Sequence, residues 1–146
     1  MSTYTQILYQ IVFSTKNRER TLKPLHQENL YVYIAGIVSN NNCHTYWING
    51  TEDHLHMAIS LHPSVPLSSL VKSIKLSSSN WIKENSIFPF FIGWQEGYGA
   101  FTYSYNSRDD LVTYIKNQKQ HHLNLSFIDE YKNLLEEHNI RLRRNI

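Results

Sequence analysis

Hydrophobic positions recur along this chain with two periods, near two and near 3.6 residues, and their succession predicts the elements. Residues 4–14, YTQILYQIVFS, are rich in β-branched and aromatic side chains and predict a buried strand, followed by a polar, basic loop, TKNRER. Leu30, Tyr31, Ile34, Ile37 and Val38 keep helical spacing, predicting a helix over about 25–41. HTYWINGTE (44–52) predicts a second strand whose Asn49-Gly50 pair is a turn signal, so that it forms a hairpin with a third strand. In that third strand, 54–62, His54, His56, Ala58, Ser60 and His62 share one face, and Leu55, Met57, Ile59 and Leu61 share the other.

A second amphipathic helix follows Pro63 and Pro66, with Leu67, Leu70, Val71, Ile74, Trp81 and Ile82 on one side. GWQEGYGAFTYSY (93–105) predicts a fourth strand, its glycines marking a bulge or a close backbone approach. A third helix is predicted over about 108–122, with Ser107 and Asp110 as a capping box, and a fourth begins at Ser126 with Asp129 in the same relation. The order β-α-β-β-α-β predicts an α+β, ferredoxin-like fold, a four-stranded antiparallel sheet with additional C-terminal helices. Leu55, Met57 and Ile59 would face the first two helices, and His54 and His56 the opposite face.

Composition adds limits. With 146 residues, 41% hydrophobic and 13% aromatic, the chain is read as a single domain over 1–146, folded rather than disordered. A net charge of +2 does not by itself announce a nucleic-acid binder, although KNRER (16–20) and RLRR (141–144) are local basic clusters. The one cysteine, Cys43, excludes an intrachain disulfide and a cysteine-based zinc site. No apolar run approaches the roughly 20 residues of a membrane helix, so a cytoplasmic protein without a membrane partner is expected.

The candidate chemistry starts at EDHLHM. Two imidazoles two residues apart on a strand converge on one point, and imidazole suits several divalent metals. In a chain with eight histidines that signal is unspecific. The third helix adds Tyr114 and Gln118, four residues apart and neighbours on one helical face, with Val112 and Ile115 on another arc. Singly, these read as an amphipathic tyrosine and a solvated glutamine. Together with the histidines they suggest a phenol that attacks a phosphodiester beside a metal, since two imidazoles and an amide oxygen leave coordination positions open for a phosphate.

The sequence resembles the HUH-type single-tyrosine transposases of small bacterial insertion sequences of the two-hundred type. LYQIVFSTKNR, EDHLHMAISLHP, LSSLVKSIKLSSSNWI, GWQEGYGAFTYS and LVTYIKNQKQHH carry the resemblance, in that order, from residue 4 to about 137. It implies that His54 and His56 bind the metal, that Tyr114 is the nucleophile, and that Gln118 is the third ligand. It further implies Mg²⁺ or Mn²⁺, a 5′-phosphotyrosine link with a free 3′-hydroxyl, hairpin-bearing single-stranded DNA as substrate, and a homodimer. A dimer whose active sites are shared, with the Tyr114 helix lying on a partner's histidines, is expected.

Around this set, Asp53 is weighed as an orienter of an imidazole against a solvated turn residue, and His121 as a group near the site or a helix-end cation. His62 is read as structural. Arg18, Arg20, Lys72 and Lys75 are candidates for DNA phosphates, against solvated surface roles. Two rival functions remain: a non-catalytic single-stranded nucleic-acid binding module, and an HUH replication or relaxation nuclease.

Overall fold

The computed structural model describes residues 1–140, so the basic run 141–144 lies outside the described residues. Four strands, β1 (Leu8–Ser14), β2 (His44–Gly50), β3 (His54–Ser60) and β4 (Gly99–Tyr103), form one sheet in the order β2-β3-β1-β4. Every pairing is antiparallel. This is the ferredoxin-like order, with helices α1 (Gln27–Asn40) and α2 (Leu67–Glu84) supplying the two crossovers. Helices α3 (Arg108–Lys116), α4 (Gln118–His121) and α5 (Phe127–Glu137) follow.

The alternation in β3 sorts the sheet into two faces. Ile11, Phe13, Leu55, Met57 and Ile59 pack with Leu30, Ile34 and Val38 of α1 and Leu70, Ile74 and Ile82 of α2 in the main core. The other face is smaller and split. Leu8 and Ala58 meet Leu111 and Ile115 of α3, while Val12 and Phe101 meet Leu134 and Leu135 of α5. His54 and His56 belong to this second face, paired in register with Ser14 and Val12 of β1. They are therefore covered by the C-terminal helices.

Several element ends differ from the sequence expectation. Asn49 and Gly50 are not the hairpin turn: both are still paired in β2, opposite His56 and Leu55. The turn is Thr51–Asp53, closed by Thr51 N–H donating to the His54 carbonyl at 3.0 Å. Gly50 is needed because that tight return brings the chain against itself; a Cβ there would lie 2.1 Å from the His54 carbonyl oxygen. Asn49 instead turns its side-chain amide to the carbonyls of Ile115 and Lys116, both at 3.0 Å, at the end of α3. β3 stops at Ser60, and His62 sits beyond it, held by Ser64.

β1 begins at Leu8 rather than residue 4. β4 is confined to Gly99–Tyr103, because Gly93 and Gly97 take φ of +144° and +87° and break the ladder before it. The helix expected over 108–122 is two pieces. It ends at Lys116, where Asn117 N–H bonds back to Thr113 and Tyr114 and leaves the helical path, and four residues of α4 follow. The Ser107 capping box is absent; its hydroxyl lies 3.3 Å from that of Ser104. The second box forms, Asp129 N–H donating to Ser126 Oγ at 3.2 Å.

Candidate active site

The two imidazoles are held from behind before anything meets them in front. His54 Nδ1–H donates to Asp53 Oδ1 at 2.7 Å, and the Thr51 hydroxyl donates to the same oxygen at 2.8 Å. His56 Nδ1–H donates to Gln10 Oε1 at 2.6 Å, and Gln10 is set in turn by donating from Nε2 to the Tyr103 hydroxyl at 2.7 Å. Both rings are fully buried. With Nδ1 carrying the proton, each Nε2 presents an unshared pair to the space beneath the C-terminal helices.

What meets those pairs is oxygen. His54 Nε2 lies 3.2 Å from Gln118 Oε1 and 3.5 Å from Glu130 Oε1. His56 Nε2 lies 3.0 Å from the same Glu130 oxygen, and His122 Nε2 lies 2.8 Å from it. Acceptors facing acceptors in a buried site require a positive charge between them, a proton or a metal ion. The ligand atoms of His54, His122 and Glu130 all lie within 4.8 Å of one another, so this set fits one cation. Imidazole nitrogen with carboxylate and amide oxygen is a donor set that suits divalent metals.

The second Glu130 oxygen, Oε2, accepts from Gln118 Nε2 at 2.9 Å and from the Tyr114 hydroxyl. The Tyr114 ring stands edge-on to His56, centroids 5.9 Å apart, and stacks on His121 at 4.8 Å. Phe127 stacks on His54 at 4.3 Å and closes the other side. Burial, and the Glu130 carboxylate beside it, push the Tyr114 phenol well above its ordinary pKa. Burial opposes the charge on Glu130, but His122, His54 and His56 hold its carboxyl far below the usual carboxylate range. Burial likewise opposes the His54 cation, yet Asp53 and Glu130 bring its pKa above the ordinary imidazole value. His56 has less such help, and burial pushes it down to about 4.

Of the residues expected from the sequence, His54, His56, Tyr114, Gln118, Asp53 and His121 come together here. Their roles in the fold differ in detail. Asp53 does orient an imidazole, whereas His121 stacks on the tyrosine and its neighbour His122 turns inward. The Tyr114 helix, expected on a partner subunit, reaches the histidines of its own chain in this structure. The cations lie elsewhere. Lys72 and Lys75 are on α2, across the sheet, lining a groove of about 490 Å³ with Trp94 and Tyr98. Lys75 spends its ammonium on the carbonyls of Gln95, at 2.8 Å, and Gly97, so it ties α2 to the 93–98 loop. Arg20 pairs with Glu52 at 2.8 Å on the surface, and Arg18 is exposed.

Glu130, Gln10 and Thr51 were not singled out by the sequence reading. A signal existed for two of them. Glu130 is the one charged residue on the inner face of α5, among Phe127, Tyr131, Leu134 and Leu135. Gln10 is a polar interruption in the middle of a mostly apolar β1, on the histidine side.

The sheet of this α+β fold thus presents two buried imidazoles to a phenol carried on a separate helix. Residues 3–118 match the family described as "Transposase IS200 like", and the chain belongs to that family. Solved structures agree on the fold. A protein of Deinococcus radiodurans R1 assigned as a transposase is 21% identical, with a TM-score of 0.65 over 81% of this chain and 95% of its own. A REP-associated tyrosine transposase bound to a REP hairpin is 15% identical, with a TM-score of 0.57 over 80% of this chain and 72% of its own. No curated protein matches. Among the described residues, no helix is long and apolar enough to cross a membrane.

Proposed function

We propose that this transposase cuts and rejoins single-stranded DNA through a covalent 5′-phosphotyrosine intermediate, with Tyr114 as the nucleophile. The observation that carries this reading is the meeting of the Tyr114 hydroxyl and both buried imidazoles at a single side chain, Glu130. His54, His56 and Gln118 would hold a divalent metal, Mg²⁺ or Mn²⁺. Bound there, the ion supplies charge to neutralise phosphate oxygens during displacement. The chain's own residues do the rest. Asp53 and Gln10 fix the two rings, Gln118 sits between His54 and the carboxylate, and the Tyr114 oxygen is aimed at the same cage. In cleavage the Tyr114 phenol gives up its proton as its oxygen bonds to phosphorus, the P–O3′ bond breaks, and the leaving 3′-oxygen takes up a proton to end as a 3′-hydroxyl. Rejoining runs the same exchange backwards with another 3′-hydroxyl. Such a reaction conserves bond energy and needs no ATP.

The substrate we propose is single-stranded DNA with hairpin ends, in line with the hairpin bound to the REP-associated relative. Arg18, Arg20 and Lys72 remain exposed to meet phosphates; Lys75, held by two carbonyls, is the weaker candidate. A homodimer with shared sites is also proposed. α3 is seated by only two fully buried side chains, Leu111 and Ile115, an anchorage of roughly 3–6 kcal/mol that an equal seat on a partner would replace. A cytoplasmic location fits a reaction on chromosomal DNA. A non-catalytic binding module has less support, since buried imidazoles occupy the sheet face where stacking aromatics would be expected.

The test is a covalent-adduct assay with 5′- and 3′-labelled hairpin single strands. Wild type should carry the label 3′ of the cut as a protein-linked band, and Tyr114→Phe should bind the same DNA without forming it. An adduct that persists in Tyr114→Phe would refute the assignment.

A further inference from the structure

Helix α5 enters the site through Phe127, stacked on His54, and Glu130, and the chemistry of Glu130 is out of place unless a cation is there. Glu130 is 1% exposed, on a helix face otherwise made of Phe127, Tyr131, Leu134 and Leu135. An apolar residue of similar size would dock α5 equally well, without the several-kcal/mol cost of burying an ion. Instead, Oε1 stands within 3.5 Å of His54 Nε2, 3.0 Å of His56 Nε2 and 2.8 Å of His122 Nε2. Two of those nitrogens have already committed their protons on the Nδ1 side, to Asp53 and Gln10. Their unshared pairs and the carboxylate oxygen thus converge as ligands do.

We propose that Glu130 is a ligand of the same divalent metal ion as His54 and His56, with His122 beside it, so that docking of α5 on the sheet is linked to metal binding. The inference rests on the metal reading above and extends it to a part of the chain beyond residue 118, where the family match ends. It makes the site anionic, because Glu130 contributes a charge that Gln118 lacks. It also ties α5, with Phe127 stacked on His54, to the ion rather than to its apolar contacts alone.

The experiment uses Mn²⁺ alone as the probe, without DNA. Free Mn²⁺ is measured by electron paramagnetic resonance against wild type, Glu130→Gln and His56→Ala, and amide hydrogen exchange of residues 127–137 is followed in wild type with and without Mn²⁺. Expected are loss of binding in His56→Ala and at least about a tenfold weakening in Glu130→Gln, the size of loss that even partners behind a ligand produce. Added Mn²⁺ should slow exchange across α5. Full affinity in Glu130→Gln, or exchange in α5 indifferent to Mn²⁺, would overturn the Glu130 proposal, while loss of binding in His56→Ala would leave the metal site itself standing. Undiminished binding in His56→Ala would remove the metal reading and this one with it. Should Glu130→Gln fail to fold, the exchange measurement on wild type decides alone.

Discussion

The Tyr114 hydroxyl donates its hydrogen bond to Glu130, the carboxylate that also faces His54 and His56. The Tyr114 phenol and the imidazole pair are thereby joined through a residue of α5. Held this way, the phenol keeps its proton, since burial and the adjacent carboxylate both disfavour the phenolate. On the reaction proposed above, the tyrosine would have to exchange this partner for a phosphate before attacking.

Loss of that bond should be tolerated structurally. Hydrogen bonds to charged groups are worth about 1.5–3 kcal/mol, and Gln118 and His122 continue to satisfy Glu130. We expect Tyr114→Phe to lower unfolding free energy by only about 1 kcal/mol in urea titration, far too little to explain a complete loss of cleavage.

Removal of metal should separate chemistry from binding. With excess chelator, cleavage of labelled hairpin DNA should stop while the gel-shift affinity persists, and Mn²⁺ should restore cutting. Cleavage that continued under full chelation would contradict a metal-dependent reaction.

Asp53 acts through His54, which it holds by Nδ1 at 2.7 Å. Asp53→Asn should weaken Mn²⁺ binding by about 10–100-fold, the range for partners that orient a ligand. The melting temperature should change little by comparison. Equal affinity in the variant would mean that backbone and packing alone set the ring.

Sharing of sites is read by complementation. Tyr114→Phe and His56→Ala subunits, each inactive alone, should recover cleavage when mixed, because one composite site receives intact histidines from one and intact Tyr114 from the other. If proven heterodimers stay inactive, the arrangement within one chain described here is the cutting form.

The hairpin below the histidines is sterically exacting. Gly50→Ala places a Cβ 2.1 Å from the His54 carbonyl oxygen, a backbone atom that cannot step aside cheaply. A destabilisation of about 1–3 kcal/mol is expected from overpacking of this kind, measured by chemical denaturation.

The period-3.6 pattern made both crossover helices legible because each buries one stripe, and the alternation of β3 separated its core face from its histidine face. Boundaries were less so. Asn49-Gly50 has the composition of a turn, but its residues extend β2, and the amide of Asn49 caps α3 instead. No local pattern announces a bond made between segments so far apart in sequence. The same holds for the break at Asn117, in a stretch whose spacing continues as helix. Within the site, His54, His56 and Tyr114 could be picked because strand alternation and the family motif place them. Glu130 could be found only through the incongruity of a carboxylate on an apolar face; which partner that face meets is decided by how the last helix folds back.

The alternation of β3 has a further consequence for change in chain length. His54 and His56 alternate with Leu55 and Met57, so one face of the strand carries the imidazoles and the other the main core. A single-residue insertion or deletion within β3 would exchange the two, turning imidazoles toward α1 and α2 and leucine and methionine toward the tyrosine. An insertion within Thr51–Asp53 leaves that phase intact. A change of length in the turn therefore costs the Thr51 and Asp53 bonds to His54 without turning the histidines over, whereas a change of length in the strand turns them over.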